Sequence, residues 1–131
     1  MPEIRIGIIG SGRMATRRAE NFAAHSDTTV AVIATRNPSM GPELADIARA
    51  TCVSDWKDLL STDLDGIFFD THNELQRPIT IAALNAGKHV FTECPTRWTA
   101  AEGLLIVDKI ETSASLEHCL SRARCAQSGH Y

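Results

Sequence analysis

Apolar positions along this chain switch between two periods. Residues 4 to 9, "IRIGII", form a nearly unbroken apolar run closed by Gly10, the pattern of a strand buried on both faces. Behind it, Met14, Ala15, Ala19, Phe22 and Ala23 recur near helical spacing, so residues 13 to 25 read as a helix. The switch then repeats. "TVAVIAT", residues 29 to 35, is a second buried strand. "GPELADIARA" is a second helix, with Pro42 where a first turn tolerates it and Leu44, Ile47 and Ala48 on one face. A short "CV" reads as an edge strand and "SDWKDLLS" as a small helix capped by Ser54. "DGIFFDT", residues 65 to 71, is a fourth strand. "RPITIAALNAGK" predicts a helix that opens at Pro78 and is capped by Gly87, and "HVFTE" a fifth strand. Thr99 with Glu102 makes a capping box ahead of "GLLIVDKI", predicting one more helix.

Strands and helices alternating at these lengths imply parallel strands joined by right-handed crossovers. The fold class is therefore α/β, a doubly wound parallel sheet with helices on both faces. Such a sheet takes its ligand at the carboxyl ends of its strands. Four segments stand there: Gly10 to Ala15, Thr35 to Asn37, Thr71 to Asn73, and Glu93 to Pro95.

Composition narrows the partners. The 131 residues suit one domain, and 44% hydrophobic residues, 22% charged residues and a net charge of −3 describe a globular chain with no cationic excess for nucleic acid. No apolar run approaches the roughly 20 residues that cross a bilayer, so no membrane is expected and the chain reads as cytoplasmic. Cys52, Cys94, Cys119 and Cys125 contain no C-x-x-C pair and read as free thiols. His118, Cys119, Cys125 and His130 match none of the usual zinc spacings and read as solvated tail residues, so no metal is expected.

Gly10, Gly12 and Ala15 in "GSGRMA" make the G-x-G-x-x-G/A pattern between a strand and a helix. The first glycine turns the chain, the second lets backbone amides approach a pyrophosphate, and the small third position lets the helix pack closely. The helix start offers unpaired N–H groups and partial positive charge to phosphate. This assigns dinucleotide binding to Gly10, Ser11, Gly12, Arg13 and Met14. After the second strand, where a carboxylate would grip both ribose hydroxyls, the chain has Thr35 and Arg36. Thr35 can donate to a 2′-phosphate and Arg36 can pair with it while stacking on adenine, which favours NADP over NAD.

Together, "IGIIGSGRMA", "VAVIATRNP", "DGIFFDTHNELQ", "ITIAALNAGKHVFTECP" and "TAAEGLLIVDKIE" resemble the nucleotide-binding half of the glucose-fructose oxidoreductase and inositol dehydrogenase family (Gfo/Idh/MocA), from about Ile4 to Glu111. The resemblance implies a dinucleotide-binding Rossmann domain over residues 1 to 111, with Thr71, His72, Asn73 and Glu93 joining the cofactor site. It also implies oxidation or reduction of sugar-like molecules through a second, open-sheet substrate domain. Three departures fall at the active end. The family's Glu-Lys-Pro is Glu93, Cys94, Pro95 here, without the lysine that assists proton movement. Its Thr-Pro-Asn followed by His is Thr71, His72, Asn73 followed by Gln76. Asp70 replaces a small apolar residue, and its charge is expected to weaken binding of an anionic cofactor unless it is turned away or protonated.

About twenty residues follow Glu111, and they do not resemble the family's continuation into its substrate domain. This tail, residues 112 to 131, shows Leu116, Cys119, Leu120 and Ala123 at helical spacing. It is expected to form a helix or a disordered segment in place of a sixth strand. That would leave the "HVFTE" edge open, which predicts pairing into a homodimer or with a partner chain. Cys94 could act as a thiol nucleophile with His72 as base, against the reading that it is an inert strand-end cysteine beside Glu93. Three functional readings stand: nucleotide binding without autonomous turnover, an oxidoreductase completed by a partner chain, and a truncated or frameshifted family member.

Overall fold

The computed structural model describes residues 3 to 93 and 117 to 120, which fall into two compact units on either side of the Thr71–His72 bond. The capping box at Thr99 and Glu102, the helix expected after it, Cys94, Pro95, Cys125 and His130 lie outside the described residues.

The first unit is built around β1 (Ile4–Ile9). It pairs in parallel with β2 (Thr28–Ala34) on one side and β4 (Gly66–Phe69) on the other, and β3 (Thr51–Val53) extends the sheet beyond β2. The order in this unit is thus β3-β2-β1-β4. The sequence of these strands explains their place. Ile8, Ile33, Ile67, Phe68 and Phe69 all have 0% exposure, so side chains on both faces of the central strands are buried, as an unbroken apolar run predicts. Gly7 in the middle of β1 is a packing requirement, because a Cβ there would stand 2.7 Å from Leu64 Cδ1 and 3.0 Å from Leu59 Cδ2.

Helix α1 (Arg13–Ala24) buries only Ala15 and Ala19, two small residues that let its backbone approach the sheet. Its Arg18 guanidinium lies 5.9 Å from the centre of the Phe68 ring. Helix α2 (Met40–Ala48) buries Leu44, Ala45 and Ala48. Its last turn closes with Arg49 in the left-handed region at φ 56°, with Arg49 N–H donating to the Asp46 carbonyl and Ala50 N–H to the Ala45 carbonyl. Helix α3 (Trp56–Leu60) is capped by Asp55 and not by Ser54 as the sequence suggested: Asp55 Oδ1 accepts from Lys57 N–H at 2.9 Å. A carboxylate one residue nearer the helix reaches that donor, and it also suits the helix dipole better than a hydroxyl does. At the amino ends of β1 and β4, Arg5 and Asp65 lock together reciprocally: Asp65 N–H donates to the Arg5 carbonyl, and Arg5 N–H donates to Asp65 Oδ2.

The second unit holds α4 (Asn73–Asn85), β5 (His89–Glu93) and β6 (Glu117–Leu120). Two sequence expectations are corrected here. Helix α4 begins at Asn73, five residues before Pro78, which sits inside it on the exposed side. The missing proline N–H is tolerated because Ile79, Ala83 and Leu84 bury the opposite face. The segment expected to be helical or disordered forms β6 over 117 to 120, parallel to β5 with Val90 opposite Glu117 and Glu93 opposite Leu120. Pairing with an open strand edge overrides a short stretch of helical spacing, and the β5 edge thought to be uncovered is covered. Gly87 does terminate α4: at φ 75° it donates to the Leu84 carbonyl, while Lys88 N–H donates to the Ala83 carbonyl.

Candidate dinucleotide site

In the first unit the backbone ladder carries on one residue beyond each strand and so sets three loop starts side by side. Gly10 N–H donates to the Ala34 carbonyl at 2.8 Å, Asp70 N–H to the Ile9 carbonyl at 3.0 Å, and Thr35 N–H to the Val53 carbonyl at 3.0 Å. The loops after β1, β2 and β4 therefore leave the sheet from fixed positions at its carboxyl end.

Gly10 makes the sharpest turn of the three. Its φ of 115° is a conformation that side-chain-bearing residues rarely adopt, and a Cβ there would stand 2.4 Å from the Asp70 carbonyl oxygen. Gly12 is the N-cap of α1. It supplies no side-chain cap, and the first turn of α1 carries no acidic residue. Its carbonyl accepts from Thr16 N–H at 3.0 Å and from the Thr16 hydroxyl at 3.1 Å, which starts the helix directly after the loop. Arg13 and Met14 are the first two helical residues, Arg13 exposed and Met14 half-buried.

The second loop is tied to the first. The Thr35 hydroxyl donates to Ser11 Oγ at 2.8 Å and accepts from Asn37 N–H at 3.1 Å, so Thr35 joins the two segments that the sequence placed in one site. Arg36, next along, is exposed and has no hydrogen-bond or ion-pair partner among the described residues. Asn37 shapes the turn that presents it: Asn37 Oδ1 accepts from Ser39 N–H at 3.1 Å, from the Ser39 hydroxyl at 2.8 Å and from Met40 N–H at 3.2 Å. Gly41 keeps α2 close, since a Cβ there would stand 2.8 Å from both Thr35 Cγ2 and Cys52 Sγ.

Thr71 follows β4 at the end of the first unit and is half-buried. His72, Asn73 and Glu93 belong to the second unit. His72 is the exposed N-cap of α4, with its carbonyl accepting from Leu75 N–H at 2.9 Å, Asn73 is the first residue of that helix, and Glu93 ends β5. Gln76, where the resembled family has His, is buried in the same helix, and its carbonyl accepts from the Thr80 hydroxyl.

Sequence reasoning missed Asn37 as the organiser of the second loop, although "RNPS" carries the signal of an Asx turn. It noticed the Asp70 carboxylate without being able to aim it. In the structure Asp70 Oδ2 lies 3.5 Å from the position of a Cβ on Gly12, facing the glycine-rich loop. Among the described residues no group of three His, Cys, Asp or Glu could hold a metal ion, and no helix is long and apolar enough to cross a membrane.

The residues of the first loop suit a pyrophosphate. A positive-φ glycine makes the turn, a second glycine at the N-cap brings no side chain of its own to the helix start, and two exposed cations follow the first two strands. Asp70 is the group set against it.

Comparison with known proteins agrees with this fold. The family described as "Oxidoreductase family, NAD-binding Rossmann fold" (GFO_IDH_MocA) matches residues 4 to 116. The dTDP-3,4-didehydro-2,6-dideoxy-alpha-D-glucose 3-reductase of Streptomyces violaceoruber is 32% identical over 107 residues, 80% of this chain and 31% of that protein. Levoglucosan dehydrogenase of Pseudarthrobacter phenanthrenivorans is 29% identical over 121 residues, 85% of this chain and 31% of that protein. Among solved structures, biliverdin reductase of Synechocystis sp. PCC 6803, in complex with biliverdin and NADP+, superposes with a TM-score of 0.83 at 30% identity, over 88% of this chain and 37% of that one. The chain thus spans about a third of the length of the curated relatives it matches.

Proposed function

The chain belongs to the Gfo/Idh/MocA oxidoreductase family, as its NAD(P)-binding Rossmann domain, and from that we propose that it binds a dinucleotide without turning over a substrate by the lysine route. The observation that carries the binding is the first loop, where Gly10 at φ 115° and the N-cap Gly12 bring the start of α1 to the carboxyl end of β1. Gly10, Ser11, Gly12, Arg13 and Met14 would hold the pyrophosphate. Thr71, which follows β4 in the same unit, would join them. The bound dinucleotide would supply the hydride chemistry. In this chain the residue after Glu93 is Cys94, whose neutral thiol does not supply the positive charge of an ammonium group.

NADP is preferred over NAD in this reading. Arg36 is exposed and uncommitted where a 2′-phosphate would lie, and no carboxylate follows β2 to grip both ribose hydroxyls. Because the Thr35 hydroxyl is engaged with Ser11, Arg36 is assigned the larger share of that preference. Titration followed by nicotinamide fluorescence tests both parts. NADPH should bind more tightly than NADH, and neither should be consumed in the presence of sugars or cyclitols. NADH binding at least as tightly as NADPH removes the preference.

The competing reading, an oxidoreductase completed by a partner chain, draws on the family's activity and on the relatives' names. Turnover that appears only when a second chain is added would favour it. Association with another copy, first expected through β5, would now use β6, which among the described residues pairs with β5 alone. Light scattering at tens of micromolar would report a doubled mass, and a monomeric mass removes that part of the proposal. A cytoplasmic location belongs to the proposal as well, on the sequence character described above.

A further inference from the structure

Asp70 stands directly after β4, and its backbone is held on two sides. Its N–H donates to the Ile9 carbonyl at 3.0 Å, and its carbonyl oxygen is only 2.4 Å from where a Cβ on Gly10 would be. A backbone so fixed leaves the side chain a small choice of rotamers. In the one adopted, Oδ2 borders the glycine-rich loop, 3.5 Å from the Cβ position of Gly12. The space that the second glycine keeps clear of side chain is therefore bordered by a carboxylate. No acidic residue occupies the first turn of α1, and Arg13 at that turn is exposed.

We infer that Asp70 sets the affinity of this loop for diphosphates and holds it low. Resting on the dinucleotide reading above, the inference names the residue that tunes the site. The carboxylate opposes the pyrophosphate charge, and it also draws on the same positive end of α1 that a pyrophosphate would use. Like charges within several ångströms in a partly buried loop lower affinity by about tenfold or more. The effect is confined to ligands that place charge at the loop. A neutral ligand that uses only the adenosine end of the site does not meet it.

Asp70→Asn and Asp70→Ala test this by isothermal titration with NADH, and with adenosine as the ligand that lacks the diphosphate. Urea unfolding of each variant checks that the fold is kept; the backbone bond to Ile9 does not depend on the side chain. Both variants should bind NADH about tenfold more tightly than the wild type while adenosine affinity stays unchanged. NADH binding by the wild type with no gain in either variant overturns the role of Asp70 and leaves the dinucleotide reading intact. Equal gains for NADH and adenosine overturn it too, because a general loosening of the site would do the same. Absence of NADH binding by all three proteins overturns the dinucleotide reading and this inference with it.

Discussion

At the scale of single residues, the site depends on what two glycines omit. At Gly10 a methyl group meets both an unfavourable φ of 115° and the Asp70 carbonyl oxygen at 2.4 Å, which is backbone and cannot turn aside. Gly10→Ala should therefore cost more than about 2 kcal/mol in urea unfolding and abolish dinucleotide binding. Thr35 and Arg36, adjacent in sequence, should behave differently. Thr35→Val breaks the bond to Ser11 and should weaken NADH and NADPH alike, at a stability cost of about 1 kcal/mol. Arg36→Ala should weaken NADPH selectively and leave stability unchanged. The glycines and the two cations were legible in the sequence, because spacing after a strand fixes their place. The Ser11–Thr35 bond and the aim of Asp70 were not. Both depend on β1 lying between β2 and β4, which no local pattern states.

At the scale of elements, the buried strands were the most legible feature. Ile8, Ile33 and Ile67 lie on strands packed on both faces, so apolar runs identified them directly. Element starts were harder to read. Pro78 looked like a first helical position, yet α4 extends back to Asn73 because one exposed proline costs less than burying Ile79, Ala83 and Leu84 gains. Strand β6 was unreadable locally, since its state is set by its partner β5. The two helix ends that close through left-handed residues offer a paired test. Gly87 has nothing within 4 Å of its Cβ position, so Gly87→Ala isolates the backbone cost and should destabilise by about 1 kcal/mol. Arg49 holds the same conformation with a side chain at φ 56°, so Arg49→Gly should stabilise by about 0.5 to 1 kcal/mol. Equal signs in the two melts would contradict this account of the caps.

At the scale of the whole molecule, family membership and Rossmann fold are settled by the match over residues 4 to 116 and by structural similarity, while chemistry is left to the residues that differ. A chain that binds dinucleotide in its folded state is stabilised by it through mass action, so NADPH at about a hundred times its dissociation constant should add about 2.7 kcal/mol to unfolding. Turnover is a separate question, and the proposal that it is lost rests on Cys94 following Glu93 in the sequence. The most direct test of the central claim is one titration of NADPH, followed by nicotinamide fluorescence, on the wild type and on Gly12→Asp. That substitution sets a second carboxylate beside Asp70 Oδ2 at the start of α1. The account predicts saturable binding tighter than about 1 mM for the wild type and none for the variant. No wild-type binding in that range, or equal binding by the two proteins, would contradict it.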